Sequence, residues 1–429
     1  MSKKKLLKVS KIIELNRIYR HTYSDFEVQL AVELYLLVGC GFEKVSGLLK
    51  YLNDVLGLEL ERIPCANSIE NWVKKMGYSI YHQTPKEFAK KEYAEIIDES
   101  MMLGSEKMLL TLGVEAEKKD AKALQHNDIK ILDISVAEKW NSVTVRDKLT
   151  EIEQQIGHPP LYSISDNDSK LCKSIREQGY TQIRDIGHTM AMLIEQVYGK
   201  DEDYLLYSKH LSEVKVREVM RPCCYLLPPR QRTMARFMNL SPVLKWSKQI
   251  NHNFSKLNDE EAKNFTFVKK YFPLIEELDQ IFTCVNSILK QAKNQGFSKK
   301  SIHKYIYEIQ NNLTHQGTRV ERVKLSLCNY LKEEKAKLLT SKNVWHCSSD
   351  IIESLFGVYK FRRTRNLLNG ITSYVLLLPV ITAIGFEPKS SNLDFKKNLE
   401  SVFMQDLSQW KENKLTENLT VKRRKKLAS

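Results

Sequence analysis

Long apolar runs, a secretion signal and Cys-x-x-Cys pairs are all missing from the sequence. No apolar run reaches the ~18 residues needed to cross a bilayer. The N-terminal MSKKKLLKVSKIIELNR is basic but has neither a hydrophobic core region nor a small-residue cleavage site, so we expect no secretion signal. The 8 cysteines include no Cys-x-x-Cys pair, which argues against a zinc ribbon and a disulfide framework. Together these absences favour a cytoplasmic protein.

The strongest bulk signal is an excess of positive charge. Lys and Arg number 67 against 52 Asp and Glu, which gives a net charge of +15. This sign favours a polyanionic partner, usually nucleic acid, over the alternative of a basic soluble protein without one. Both ends are locally basic, SKKKLLK at the start and VKRRKK near the end. Such runs are typical of disordered arms that add sequence-independent affinity for phosphate.

The N-terminal part has the periodicity of three short helices. The third, within IPCANSIENWVKKMGYSIY, has Asn67 or Ser68 as its predicted N-cap and Gly77 as its predicted end. Three such helices match a helix-turn-helix module, although a plain three-helix bundle would have the same pattern. We predict a DNA-binding domain over residues 24–83, after a basic arm at 1–23 and before a polar linker. The side chains expected to face DNA are Asn71, Lys74 and Lys75.

The periodicity changes from helical to strand-like after about residue 90. The runs AEIIDESMML, KMLLTLGVEA, DIKILDISVAEKW, PPLYSISD and YTQIRDIGH each read as a strand, and two helical segments separate the last three. Three antiparallel strands followed by right-handed crossovers predict a mixed five-stranded sheet with helices on its faces. In this order the first and fourth strands are neighbours. The predicted fold class is therefore α/β.

A long helical stretch follows the strands. The pattern is helical from about residue 189 to 340, too long for a loop, so we predict an inserted all-α subdomain at 199–340. This insertion would divide a catalytic domain into parts at 90–198 and 341–388. The second part holds the helix of HCSSDIIESLFGVYKFRR and the apolar NGITSYVLLLPVITAIGF, which we expect to cover the sheet. Residues 389–429 read as a polar, basic and loosely ordered tail.

Two aspartates fall at unusual places in the predicted sheet. Asp98 lies in a run, EIIDESM, that otherwise has the composition of a buried central strand, where a charge is costly unless it is paired or binds a cation. Asp166 ends the strand SISD at the carboxyl edge, where sites form in such sheets. Each alone has the alternative of a strand-end or capping residue. Because their strands are predicted neighbours, the two carboxylates would lie side by side, and a divalent cation would relieve their repulsion.

A third carboxylate is available on the helix of HCSSDIIESLFGVYKFRR. At about 100° per residue the apolar side chains of this helix occupy one arc, and Glu353 falls just outside that arc. The alternative is a surface glutamate on an amphipathic helix. With Asp98 and Asp166 nearby, Glu353 would complete a metal site, and basic residues at the end of the helix would meet phosphate on the same flank. These residues are Lys360, Arg362 and Arg363.

This combination resembles the DDE transposases of bacterial insertion sequences. IIDES matches the first Asp, SISDNDSKLCKSI the second and CSSDIIESLFGVYK the Glu, and the resemblance covers residues 25–388. DIGH, from Asp185 to His188, resembles the C/D-x-x-H motif that follows the second Asp in Mutator-like and related transposases with a helical insertion. SISDNDS also offers Asp168 as a rival to Asp166, but Asp168 is placed to cap the next helix.

The resemblance implies a ribonuclease H-like catalytic fold with an all-α insertion, preceded by an all-α helix-turn-helix domain. It implies DNA cleavage and strand transfer with two Mg²⁺ or Mn²⁺ ions held by Asp98, Asp166 and Glu353. The implied partners are the inverted repeats at the transposon ends, target DNA and a second copy of the chain, in a bacterial nucleoid. His188 and Trp246 are implied DNA contacts, with a helix N-terminus and a helical core residue as their respective alternatives.

Two other functions are compatible with the sequence. One is a structure-selective nuclease or resolvase on the same fold, which would cut DNA but not join it. The other is a DNA-binding regulator derived from a transposase that has lost its activity. Such regulators often lose one of the three acids, whereas all three candidates are present here.

Overall fold

A computed structural model gives the fold of most of the chain. The residues it describes are 18–19, 21–58, 60–103, 106–231, 236–314, 317–340, 342–363, 370–385, 393–417 and 419–428. They form two compact units. The first unit takes its described residues from 1–116, 124–182 and 349–429, and the second takes them from 117–123 and 183–348. The predicted insertion falls within the second unit, and the three predicted catalytic acids all belong to the first.

A five-stranded mixed sheet confirms the predicted strand order. The strands are β1 (Tyr93–Leu103), β2 (Glu106–Glu115), β3 (Lys130–Ala137), β4 (Tyr162–Ser165) and β5 (Gln182–Arg184). They lie in the order β3-β2-β1-β4-β5. β1 pairs antiparallel with β2 and parallel with β4, and β2 pairs antiparallel with β3. The first and fourth strands are therefore neighbours, as the sequence predicts.

Three helices precede the sheet, and the third is longer than predicted. They are α1 (Asp25–Val38), α2 (Phe42–Leu56) and α3 (Ala66–Phe88). α3 begins after Cys65, so the predicted N-caps Asn67 and Ser68 lie inside its first turn. The predicted end at Gly77 is also wrong, because the helix continues to Phe88 through the segment that was expected to be a linker.

Gly77 makes a close contact rather than a helix end. A Cβ at this position would lie 1.8 Å from the carbonyl oxygen of Leu376, far inside van der Waals distance. Only glycine lets α3 approach the 3₁₀ turn Ser373–Leu376 so closely. α3 also contacts α1 and α2.

Two helices cover one face of the sheet. α4 (Ser142–Ile156) begins after Asn141, whose side chain accepts hydrogen bonds from the first turn, and ends at Gly157 with φ +96°. α5 (Ser169–Glu177) packs beside α4. Both helices share one hydrophobic cluster with the sheet, and its buried members are Ile97, Leu109, Trp140, Val145, Leu149, Leu171 and Ile175.

The second unit is built from helices, as predicted for the insertion. They are α6 (Ile186–Tyr198), α7 (Glu202–Glu218), α8 (Ser241–His252), α9 (Asp259–Lys270), α10 (Phe272–Gln295), α11 (Lys299–Asn312) and α12 (Thr318–Lys337). Pro242 lies in the first turn of α8, and Gly296 ends α10. Arg319 joins three of these segments, because its guanidinium lies 2.9 Å from Asp201 and 3.0 Å from the buried Glu277.

Two further helices of the first unit follow. α13 (Asp350–Arg362) contacts β1, and α14 (Leu377–Ile384) contacts β3. The prediction that NGITSYVLLLPVITAIGF covers the sheet is confirmed by α14, which is buried from Leu377 to Thr382.

The C-terminal residues form helices, so the prediction of a loosely ordered tail at 389–429 is wrong for the described part. These helices are α15 (Phe395–Glu400), α16 (Met404–Lys414) and α17 (Leu419–Ala428). α15 and α16 pack on α3. The segment is mostly polar, and its few apolar residues are widely spaced, so the sequence did not predict packed helices there. These apolar residues are buried: Phe395, Leu399, Val402, Leu407, Trp410 and Leu415. Most of the predicted N-terminal arm at 1–23 lies outside the described residues.

The described helices match the lack of long apolar runs in the sequence. None of them combines the length and the apolar character needed to cross a membrane.

Replacement of Gly77 by alanine should destabilise the first unit. The added Cβ would overlap the carbonyl of Leu376, and overpacking of a tight contact costs at least about 2 kcal/mol. The measurement is the free energy of unfolding in urea, followed by circular dichroism.

Gly47→Ala in α2 is the matched control, because a Cβ at Gly47 meets nothing within 4 Å. This change should stabilise the protein by roughly 0.5–1 kcal/mol, since alanine is the better helix former. Equal effects of the two substitutions would contradict the close contact at Gly77.

Candidate metal centre

Asp98 lies in the middle of β1, which runs from Tyr93 to Leu103. It faces Leu110 of β2 across the antiparallel pair. Its neighbour Ile97 packs in the core beneath α4 and α5, and successive side chains of a strand point to opposite faces. Asp98 therefore projects from the other face, where it is partly exposed. The backbone N–H of Glu99 donates a 2.7 Å hydrogen bond to Asp98 Oδ1.

Asp166 directly follows β4, which ends at Ser165. The parallel ladder pairs Ile96 of β1 with Ile164 of β4. The paired residues end at Ile96 and Ile164, and the same register continued for two residues, one beyond the end of β4, would set Asp98 level with Asp166. Since neighbouring strands lie about 4.8 Å apart, that register would make the two aspartates neighbours where β4 ends.

Asp168, the rival to Asp166, caps α5 as predicted. Its Oδ1 accepts a 2.7 Å hydrogen bond from the backbone N–H of Lys170. The N–H of Asp168 in turn donates a 2.9 Å hydrogen bond to Asp166 Oδ1. The two residues thus have different structural positions. Asp168 is the N-cap of α5, whereas Asp166 directly follows β4, the strand that pairs with β1.

Glu353 lies on the exposed side of α13, as its position outside the apolar arc predicts. The buried arc consists of Ile351, Ile352, Leu355, Phe356 and Tyr359. Burial raises the pKa of Tyr359 to about 12, and the nearby Glu106 carboxylate adds to the shift. Glu106 and Leu110 lie on the same face of β2, because four residues separate them, and Leu110 pairs with Asp98 of β1. Since Tyr359 of α13 lies near Glu106, α13 packs on the face of the sheet from which Asp98 projects.

The three predicted ligands do not form one cluster. Over the described part of the chain, no three His, Cys, Asp or Glu side chains lie close enough together to hold a metal ion. The parallel pairing sets β1 beside the strand that Asp166 follows, and α13 packs on β1, but the three carboxylates do not form a group that could hold a metal ion. Paired carboxylates at a strand edge are suitable donors for Mg²⁺ or Mn²⁺. Asp98 and Asp166 therefore have the donor chemistry that such a cation prefers.

Two lysines lie beside this edge, and the sequence analysis missed them. The Glu99 carboxylate forms ion pairs with Lys107 and Lys170, and Lys170 Nζ lies 2.6 Å from Glu99 Oε2. Partial burial lowers the pKa of Lys170, but the hydrogen bond and the charge of Glu99 outweigh it, so the pKa is raised and Lys170 is charged at neutral pH. Lys107 and Lys170 meet at Glu99 only in the folded protein. The spacing of these residues in the sequence therefore does not predict that they lie together.

The predicted DNA-contacting side chains of α3 are only half-exposed. Asn71, Lys74 and Lys75 are all partly buried, since α3 contacts α14, α15 and α16 as well as α1 and α2. Lys74 forms an ion pair with Glu70 one turn earlier. Burial lowers the pKa of Lys75, against the opposing charge of Asp406.

The basic residues at the end of α13 differ in their surroundings. Lys360 is exposed, whereas Arg363 is partly buried. Arg362 donates hydrogen bonds of 3.0 and 2.6 Å to the carbonyl oxygens of Tyr35 and Leu36, and its guanidinium lies 5.2 Å from the centre of the Tyr35 ring. Arg362 thus holds the C-terminal turn of α1, a structural contact that the sequence did not indicate.

In the second unit, Asp185 and His188 form a helix start. Asp185 is fully buried and caps α6. Its Oδ1 accepts a 2.7 Å hydrogen bond from the backbone N–H of His188 and lies 3.0 Å from His188 Nδ1. The structural interpretation of DIGH is confirmed by this cap, and contact of His188 with DNA stays a prediction.

Trp246 has the contacts of a packed side chain. Its indole N–H donates a 2.9 Å hydrogen bond to the carbonyl of Leu226, and its ring meets Phe265 edge to face at 5.9 Å. These contacts favour the helical-core interpretation of Trp246 over base stacking.

A buried acid on the other face of β1 was also missed. Glu95 is fully buried beside Ser163 of β4, whose hydroxyl donates a hydrogen bond to it. Burial raises the pKa of Glu95 to about 7, and the charge of Glu153 adds to the rise. The alternation of Tyr93, Glu95 and Ile97 on one face was the available signal, because it places a glutamate between two core residues.

No protein-family model and no curated protein matches the chain. The resemblance to DDE transposases therefore depends on the motifs and geometry of this chain.

Stability should depend on pH through Glu95. The folded-state pKa of about 7 lies above the ordinary glutamate value of 4.5, so the folded protein binds this proton more tightly than the unfolded chain. The stabilisation is complete below pH 4.5 and is lost as the pH rises to about 7, a change on the order of 3 kcal/mol. Glu95→Gln should remove this part of the pH dependence, measured as free energies of unfolding in urea at pH 5 and pH 8.

Glu92→Gln is the control, since Glu92 is an exposed glutamate just before β1. It should keep the wild-type pH dependence. If Glu95→Gln kept it as well, the neutral buried state of Glu95 would be contradicted.

Proposed function

We propose that the protein is a DDE transposase, which binds the ends of a bacterial insertion sequence and then cuts and joins DNA. The observation that carries the proposal is the parallel register of β1 and β4, which supports a pairing of Asp98 with Asp166. The packing of α13 on β1 supports Glu353 as the third acid. The helices of the second unit lie in sequence between Asp166 and Glu353, as the insertion does in the transposases that the motifs resemble.

In this proposal the three acids hold divalent cations at the scissile phosphate. When bound, Mg²⁺ or Mn²⁺ would lower the pKa of an attacking water or 3′-hydroxyl and stabilise the leaving oxygen. Asp98 and Asp166 contribute oxygens from strands whose positions the sheet fixes. Glu353 extends from a helix anchored by its buried apolar side. The exposed Lys360 lies seven residues further along the same side of that helix, where it would meet phosphate.

Recognition of the transposon ends is assigned to the N-terminal helices as a helix-turn-helix module. The turn between α1 and α2 contains Gly39 with φ +68°, a feature common in such turns. The half-exposed Asn71 and Lys74 of α3 would contribute contacts from the third helix. The net charge of +15 supports binding to double-stranded DNA, and exposed Arg423 and Arg424 of α17 would add phosphate contacts.

A transposase brings the two ends of its element together, so we expect two copies of the chain on DNA.

An assay for joining tests the proposal against its rivals. The substrate is taken from inverted repeats in the DNA that flanks the gene, with a pre-cut 3′ end and Mg²⁺. A transposase joins this end to target DNA. Cutting without joining would identify a nuclease or resolvase, and binding without either reaction would identify a non-catalytic regulator.

Substitution of the acids should separate catalysis from binding. Asp98→Asn, Asp166→Asn and Glu353→Gln should each reduce cutting and joining by at least about 100-fold, equivalent to about 2.7 kcal/mol of barrier, because each removes a charged metal ligand. Affinity for the DNA ends, measured by fluorescence anisotropy, should stay within about twofold.

Asp168→Asn is the matched comparison, because asparagine also caps helices and the sequence alone leaves Asp168 as a rival. This variant should lose less than about threefold in rate. Loss of activity in Asp168→Asn with retention in Asp166→Asn would reverse the assignment of the second acid.

A further inference from the structure

A chain of hydrogen bonds connects the two aspartates of the candidate metal centre through Lys170. Its first link is the 2.7 Å hydrogen bond from the N–H of Glu99 to Asp98 Oδ1. The Glu99 carboxylate then accepts a 2.6 Å hydrogen bond from Lys170 Nζ. The N–H of Lys170 donates a 2.7 Å hydrogen bond to Asp168 Oδ1, and the N–H of Asp168 donates a 2.9 Å hydrogen bond to Asp166 Oδ1.

Lys170 is the member that joins the two halves of this chain. Its side chain binds β1 at Glu99, while its backbone belongs to the first turn of α5, which follows the end of β4. The side chain of Glu99 is only 12% exposed and that of Lys170 is 30% exposed, so water screens the contact incompletely. Lys107 neutralises the other side of Glu99.

The link matters because Asp98 and Asp166 carry like charges at adjacent positions. Without a cation their repulsion favours side-chain positions that are further apart. A metal ion binds more tightly when its ligands are already held in place, and contacts to residues outside the metal's own ligands commonly change affinity by about 10–100-fold. Each aspartate in this chain has one oxygen held by a backbone N–H, and Lys170 connects the two segments that supply those groups.

We propose that Lys170 is a positioning residue, which holds Asp98 and Asp166 in place for a divalent cation through Glu99 and the first turn of α5. This inference rests on the proposed function of the same site. Lys170 is not assigned a contact with DNA or with the metal.

The test is binding of Mn²⁺ alone to the full chain, measured by electron paramagnetic resonance, together with the rate of DNA cutting at varied Mn²⁺ concentration. Lys170→Met keeps the length of the side chain and removes its charge. We expect the Mn²⁺ dissociation constant and the half-saturating Mn²⁺ concentration to rise about tenfold. Lys170→Arg should restore most of the affinity, because arginine can pair with Glu99.

Lys173→Met is the matched control on the same helix, since the Lys173 side chain is 62% exposed and pairs only loosely with Glu177, at 3.7 Å. It should match the wild type in Mn²⁺ affinity. Affinity for DNA and its salt dependence should be the same in Lys170→Met and Lys173→Met. A selective decrease of about one in the salt slope of Lys170→Met would instead identify a phosphate contact and overturn the positioning role.

The remaining outcomes separate this inference from the proposed function. If the wild type binds Mn²⁺ and cuts DNA while Lys170→Met behaves like Lys173→Met, only the positioning role is overturned. If the wild type neither binds Mn²⁺ nor cuts DNA, the proposed function fails as well. Circular dichroism and thermal unfolding of each variant show whether the substitution has caused a general loss of folding. The inference is supported if the Lys170→Met variant is folded and binds Mn²⁺ more weakly than the wild type.

Discussion

The parallel pairing of β1 with β4 is the constraint on which the candidate site depends. It pairs two distant parts of the chain, so that the middle of β1, which holds Asp98, lies beside the end of β4, which Asp166 follows. The antiparallel partner β2 fixes which face Asp98 occupies, because Asp98 pairs with Leu110 while Ile97 enters the core beneath α4 and α5. A shift of one residue in either pairing would turn Asp98 into the core and remove it from the edge.

The charges around β1 are divided between its two faces. On the side of α4, the buried Glu95 has a raised pKa and is surrounded by Ser163, Glu153 and core side chains. On the other side, Asp98 stays partly exposed beside Asp166. Two carboxylates about 5 Å apart repel by roughly 1–3 kcal/mol, depending on how well water screens them. In our proposal, that repulsion favours the binding of a divalent cation between Asp98 and Asp166, and it is the reason for the nearby lysine network.

Local patterns in the sequence were enough to predict much of this arrangement. Strand-like apolar runs predicted the five strands, and the right-handed crossover rule predicted their order. The apolar arc of α13 indicated that Glu353 would be exposed. The position of Asp168 before a helical run indicated a cap, which the structure confirms. These features depend on residues a few positions apart, where strand alternation, helical periodicity and capping act directly.

Contacts between distant segments could not be predicted in the same way. Gly77 reads as a helix end until the Leu376 carbonyl is seen against it, and Arg362 reads as a phosphate ligand until its bonds to the end of α1 are seen. The C-terminal helices are too polar for their sparse apolar residues to stand out, although α15 and α16 pack on α3. The Glu99–Lys170 ion pair likewise depends on the crossover that brings α5 beside β1.

The central claim is that Asp98 and Asp166 bind the same divalent cation. The most direct measurement is a crystal structure of the protein with Mn²⁺, in which anomalous scattering locates the metal. The account predicts a Mn²⁺ peak within about 2.2 Å of a carboxylate oxygen from each aspartate, with Glu353 drawn toward it. A structure in which Mn²⁺ binds only one of the two aspartates, or lies elsewhere on the chain, would contradict it.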